Sequence, residues 1–297
     1  MSSTLSHPVF EQTTQSYPIL SPSTRLDPAT VALRATQCAL VVMAKAPRPG
    51  KVKTRLSPPF TPEQAAELNI CFLKDTTQNL ANIAANGRAA GLISYTPVGD
   101  EALFEGLLPS TFSLIPQRGD SFGERLFLTA LDVLACGYGS VCLIDSDSPT
   151  VPTAAINTAI AALHRPGDRI VLGPSNDGGY YLLGLKRPHR VPFQNINWST
   201  STVAAETRAR CNAAYIDLVE LPVWYDVDDL SSLQILAVEL LEDVQPDFTT
   251  AIGYPAPYTL AKLRELAVSS FTGKGFQTER KEPQLEPQLG SQPGSQP

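Results

Sequence analysis

Short apolar runs alternate with helix-start signals from Cys38 to Leu240, and this alternation constrains the chain more than any other feature. Residues 38–45 (CALVVMAK) form a branched apolar run suited to a central parallel strand. Thr61-Pro62-Glu63-Gln64 supplies an N-cap, a proline at the first helical position and the glutamine of a capping box. Leu68, Phe72 and Ile83 fall on one face of the helix that follows. Strands are expected over 91–96 and 112–115, then a helix over 121–136 with Leu126, Ala130, Val133 and Leu134 inward and Gly137 as its stop. A strand at 141–144, a helix at 153–164 and strands at 169–172 and 180–185 come next. A helix at 199–212, a strand at 215–221 and a helix capped by Asp229 complete the series, the last with Leu233, Leu236, Ala237 and Leu240 inward.

Such alternation predicts a single α/β domain of Rossmann-like type, its mostly parallel sheet covered by helices on both faces. Ligands bind such sheets beyond the carboxyl ends of the strands. The loops at 45–55 and 145–147 both follow such ends and could meet at one crevice.

Both ends differ from this middle. Residues 1–36 are rich in Ser, Thr and Pro and read as a disordered or extended leader. From 271 to 297 the chain repeats Glu-Pro-Gln-Leu and then Gly-Ser-Gln-Pro, a composition suited to a flexible low-complexity tail. The folded domain is therefore expected over 37–270.

The formal net charge is −6 and no long basic block occurs, which argues against a nucleic-acid polymer or an anionic membrane as partner. The five cysteines are scattered, without C-x-x-C or zinc spacing. They read as reduced thiols. With no secretory signal and no membrane-length apolar run, a cytoplasmic protein is expected.

Five segments carry chemistry. The strand at 141–144 ends abruptly in Asp145-Ser146-Asp147. Two carboxylates there call for a cation, and a divalent ion with oxygen ligands fits best, although Asp147 could simply cap a turn. The loop from Met43 to Arg55 holds Lys45, Arg48, Lys51, Lys53 and Arg55, a crowd of cations that suits phosphate unless it is merely solvated. It is not a Walker A loop, because Gly50-Lys51 precedes Val52. Gln117 to Arg125 leads into a helix N-terminus, with Gly119 permitting close backbone approach. Asp177 precedes Gly178-Gly179, a turn signal that is compatible with a site. Asp226, Asp228 and Asp229 crowd a helix start where Asp229 suffices as cap. No histidine sits near a nucleophile motif, which speaks against a Ser-His-Asp hydrolase.

Taken together, MAKAPRPGKVKTRL at 43–56, QRGDSFGERL at 117–126, LIDSDSPTVP at 143–152, GPSNDGGYYLLGL at 173–185, WSTST at 198–202 and YDVDDL at 225–230 resemble one family. They resemble the bacterial CofC-like transferases of the GT-A (nucleotide-diphospho-sugar transferase) fold, described as radical-SAM/selenodomain- or arsenosugar-associated glycosyltransferase-like proteins. The resemblance implies a nucleotide or nucleotide-sugar donor, a small-molecule acceptor, and a Mg²⁺ or Mn²⁺ ion held by Asp145, Asp147 and Asp228. It places Lys45, Lys53 and Arg55 on the phosphates, and Arg48 of the same loop with Gln117, Gly119 and Arg125 at the helix start are the further nucleotide-binding candidates. Asp177 and Asp228 become the candidate catalytic carboxylates. The Gly-rich start of nucleotidyltransferases is missing, since Ala46-Pro47 stands in its place. Glycosyl transfer is thus the leading expectation, nucleotidyl transfer with release of pyrophosphate the alternative, and a non-catalytic nucleotide-binding module the remoter one.

Overall fold

In the computed structural model, residues 16–271 are described. They form one seven-stranded sheet with helices on both faces. The elements in order are α1 (Pro28–Ala35), β1 (Cys38–Lys45), α2 (Pro62–Ala84), β2 (Ala89–Thr96), β3 (Ser113–Pro116), α3 (Phe122–Ala135) and β4 (Ser140–Ile144). Then follow α4 (Thr153–His164), β5 (Arg169–Pro174), β6 (Tyr180–Leu185), α5 (Val203–Ala213), β7 (Asp217–Glu220), α6 (Leu230–Glu242) and α7 (Pro257–Phe271).

The strand order is β3-β2-β1-β4-β6-β5-β7. Every neighbouring pair is parallel except those made by β6, which runs against both β4 and β5. The chain leaves β1 toward β2 on one side and returns to β4 on the other. That reversal opens a crevice at the carboxyl ends of β1 and β4, the usual place for a ligand.

The alternation along β1 explains the two-faced core. Leu40 and Val42 pack with Leu68 and Phe72 of α2, Ile156 of α4, Leu236 of α6 and Leu263 of α7. Ala39 and Val41 point the other way, onto Leu126, Ala130 and Val133 of α3 and Cys211 of α5. Each fully buried Leu contributes on the order of 2 kcal/mol. The Thr61 capping box forms as its sequence predicts: Gln64 N donates to Thr61 Oγ1 at 3.2 Å and Thr61 N donates to Gln64 Oε1 at 2.9 Å.

Two segments depart from the sequence reading. Residues 16–36, expected to belong to a disordered or extended leader, are docked on the domain. Tyr17 is buried and its hydroxyl donates to Leu108 O at 2.7 Å, while Leu20 N donates to Leu114 O. Asp27 caps α1, whose Arg34 donates to Cys136 O. Short pieces of chain can be held by such docking even where composition argues against a core of their own. The second departure is α7, a further helix on the core after α6, with Leu263 and Leu266 buried. The remaining leader, 1–15, and the tail from 272 onward lie outside the described residues. Among the described residues no helix is long and apolar enough to cross a membrane.

Candidate active site

The crevice has a volume of about 400 Å³. One wall is the loop after β1. Val52 and Leu56 bury their side chains and pin this loop to the core, which turns Lys45, Lys51, Lys53 and Arg55 toward the opening. Thr96 at the end of β2, Gln117 beyond β3, and Phe122 and Arg125 of α3 continue the lining. Ser146 and Asp147 beyond β4 and Asp228 before α6 close it.

The two carboxylates meet because the segment before α6 is stitched to two strand ends. Ser175 bridges Trp224, Asn176 N donates to Trp224 O, and Val227 N donates to Asp147 O at 2.9 Å. Trp224, Tyr225 and Val227 are buried and fix the path. Asp228 thereby faces Asp147 across one nitrogen, Lys53 Nζ. That ammonium lies 2.7 Å from Asp147 Oδ1 and 3.3 Å from Asp228 Oδ1, and donates to Val227 O at 2.6 Å. The two Oδ1 atoms can be no farther apart than these contacts end to end, about 6 Å. Arg55 approaches Asp228 from outside at 3.7 Å.

The Lys53 side chain is only 4% exposed. Burial by itself would lower its pKa, but Asp147 and then Asp228 outweigh burial and raise it. Its backbone is left-handed, with φ of 47°, a conformation uncommon for a residue with a side chain.

Other expected site residues are placed differently. Asp145 turns back on its own loop: its Oδ1 accepts from Asp147 N and Ser148 N, and its Oδ2 from the Ser148 hydroxyl. It shapes the turn that presents Asp147 and does not line the crevice. Burial, then Asp226 and Asp147, push its pKa well above the carboxylate range. Arg48 is also withdrawn; its guanidinium forks onto Asp100, with the Nε arm at 2.6 Å. Gly119 has φ of +112° and serves a turn, where a Cβ would strike Glu124. Gln117 lines the crevice while donating to Ser94 O. Asp177 is exposed and accepts from Gly179 N at 2.8 Å, a turn contact, and it lies outside the lining. Its charge is nonetheless felt by Asp226, whose pKa is pushed up to about 6 by burial, then by Asp177 and Asp228.

Asn69 was not legible as a site residue. It sits on α2, 6% exposed, lines the crevice, and its amide has no hydrogen-bond partner among the described residues. The only signal in the sequence is an amide beside Leu68 and one turn before Phe72, on a face otherwise apolar. Thr96 was missed too, although its place at a strand's carboxyl end could have found it.

Among the described residues no group of three or more His, Cys, Asp or Glu is gathered as a self-sufficient metal site. The donor set around Lys53 Nζ is two carboxylate oxygens and one carbonyl oxygen, hard ligands that already hold a cation. Mg²⁺ uses such sets, taking one or two carboxylates and completing its shell with water and substrate phosphate. The residues therefore fit Mg²⁺ or Mn²⁺.

Residues 79–200 match a family model described as uncharacterized proteins conserved in bacteria, DUF2064. A comparison with curated proteins finds no match. Among solved structures, a protein from Desulfovibrio desulfuricans G20, named as a candidate nucleotide-diphospho-sugar transferase, is 29% identical. It superposes with a TM-score of 0.65 over 77% of this chain and 94% of its own. A CMP:2-keto-3-deoxy-manno-octonic acid synthetase solved with CTP is 11% identical, with a TM-score of 0.46, over 70% of this chain and all of its own. A 4-diphosphocytidyl-2C-methyl-D-erythritol synthase from Anaerococcus prevotii is 11% identical, with a TM-score of 0.43, over 71% and 99%. The match over residues 79–200 and the Desulfovibrio structure agree with the resemblance carried by the sequence motifs, and the α/β fold expected from it is observed.

Proposed function

We propose that this protein is a cytoplasmic transferase acting on a nucleotide donor, a reading supported by the family-model match over residues 79–200 and by the fold shared with the Desulfovibrio protein. One observation carries the reading: Lys45, Lys51, Lys53, Arg55 and Arg125 line one crevice that also holds Asp147 and Asp228. Such a wall of cations suits a chain of phosphates, with Arg55 and Arg125 offering two-pronged contacts and the lysines point charges. An acidic protein with no other reason to gather these groups concentrates them where the sheet opens.

The donor is proposed to be a nucleotide sugar and the reaction glycosyl transfer to a small acceptor. The cationic wall stabilises charge as the phosphate oxygens become those of a leaving nucleoside diphosphate. A bound Mg²⁺ or Mn²⁺ would supply Lewis-acid stabilisation of the same charge, held by Asp147 and Asp228. The acceptor enters from the side of the turn at 175–179. Asp177 and Asp226 stand there, and either could take a proton from an acceptor hydroxyl. The number of cations favours a second reading, nucleotidyl transfer from a triphosphate to a phosphorylated acceptor, since a triphosphate carries more charge to match.

Product analysis separates the two. Glycosyl transfer releases a nucleoside diphosphate, and nucleotidyl transfer releases pyrophosphate. Donor affinity measured calorimetrically should fall at least tenfold in Lys53→Ala and in Arg55→Ala, with Arg55→Lys restoring part of it. Unchanged affinity for nucleoside triphosphates and nucleotide sugars in the double alanine variant would remove the basis of this proposal.

A further inference from the structure

The Lys53 ammonium is held as a small cation would be. It is enclosed by three oxygens from two distant segments: Asp147 Oδ1 at 2.7 Å, Asp228 Oδ1 at 3.3 Å and the Val227 carbonyl at 2.6 Å. The side chain reaches them from a backbone in the left-handed region, at φ 47° and ψ 37°. Non-glycine residues keep that conformation only where their surroundings over-determine it. Here the oxygen cage does so, with the ammonium also 5.7 Å from the centre of the Phe72 ring.

We infer that Lys53 is a built-in occupant of the metal seat, so that its ammonium and a divalent cation exclude each other, and donor phosphate resolves the competition by drawing Lys53 away. The inference rests on the phosphate-and-metal reading above and adds an order of events to it. A divalent ion within bonding distance of Asp147 and Asp228 would need oxygens at roughly 2.0–2.6 Å, which leaves no room for an ammonium at the same point. Two like charges there would also repel in a poorly hydrated setting. Phosphate offers Lys53 an equally good partner at the crevice wall, a short swing away. Arg55 is two residues on and already near Asp228, so it would follow the same movement. The metal would then arrive together with the donor instead of waiting on the empty protein.

The test measures Mn²⁺ binding to the full chain by electron paramagnetic resonance, without phosphate or nucleotide. Lys53→Met keeps the apolar stem beside Phe72 and removes the charge. It should bind Mn²⁺ at least tenfold more tightly than the wild type, and Lys53→Met with Asp147→Asn should lose that gain. Because removal of a buried cation can unfold a protein, a second measurement uses the wild type alone. Acetylation of Lys53 by acetic anhydride, read by mass spectrometry, should be slow in metal-free protein and several-fold faster at saturating Mn²⁺. Mn²⁺ binding of equal strength in wild type and variant, with Lys53 still protected, overturns the exclusion and leaves the transferase reading standing. Failure of every variant to bind Mn²⁺, even with pyrophosphate present, overturns the inference and the metal part of the proposed function together.

Discussion

The carboxylate of Asp75, midway along α2, accepts the backbone N–H of Thr259 at 2.7 Å, 184 residues further on. Its other oxygen accepts from Tyr258 N at 3.1 Å. A fully buried acid thus caps the first turn of α7, matching its charge to the free N–H groups of that turn. Burial raises the pKa of Asp75 and the hydrogen bonds from Thr259 and Tyr258 oppose the rise. Asp75→Ala should cost about 2 kcal/mol in urea unfolding, since two donors lose their acceptor in the core. A loss below about 0.5 kcal/mol would mean that α7 holds by its apolar face alone.

The segment ahead of β1 contributes as well. Deletion of residues 1–36 removes the Tyr17–Leu108 and Arg34–Cys136 contacts and uncovers the edge strand β3. The melting temperature should drop by several degrees, as a loss of about 2 kcal/mol would produce in a domain of this size. An unchanged melting temperature would restore the reading of this segment as a passive leader.

At the site, Asp147→Asn should abolish metal-dependent donor binding and turnover while circular dichroism and melting remain those of a folded protein. Asp228→Asn should do the same or slightly less, being the more distant partner of Lys53. Asp177→Asn should lower turnover and leave donor affinity intact if Asp177 serves the acceptor. Loss of donor affinity in that variant would move Asp177 to the donor side.

Asn69 offers a trade. Its amide lines the crevice and has no hydrogen-bond partner among the described residues, so Asn69→Leu should hold or raise stability while weakening nucleotide binding about tenfold. Lower stability with unchanged binding would show that the amide is only a packing group.

Asp226 sets a pH dependence. Its folded pKa of about 6 exceeds the ordinary 3.8, so the native state binds its proton more tightly than the unfolded chain does between those values. Stability from this group is therefore full below about pH 4 and lost as the pH rises through 6. In EDTA-treated protein, Asp226→Asn should exceed the wild type by on the order of 3 kcal/mol at pH 7.5 and match it near pH 4. A constant difference across that range would assign the effect to packing.

What the sequence discloses depends on how far each signal reaches. The Thr61–Gln64 box and the Asp229 cap are written within four residues, and both form. Asp147 and Asp228 were identifiable because each has no local task, and the sheet brings them onto one nitrogen. Arg48 and Asp145 carry the same residue types in the same motifs. Their partners, Asp100 and the Asp145 loop's own N–H groups, decide that they shape the site from behind. α7 escaped notice for a similar reason. No Ser, Thr, Asp or Asn precedes Pro257 as a cap, because the cap is Asp75 on another helix.

The reversal of β6 has a consequence for the time order in which the crevice is assembled. The turn that joins β5 to β6 brings Ser175 and Asp177 to the carboxyl edge by closing a loop of a few residues, a step with little chain entropy to overcome. The seat shared by Asp147, Asp228 and Lys53 needs segments 174 or more residues apart, from Lys53 to Val227 and Asp228. Long-range closures of this kind come late in folding. The turn at 175–179 should therefore be in place before the seat exists, and a nascent chain would complete the crevice only after the residues following β7 have joined the sheet.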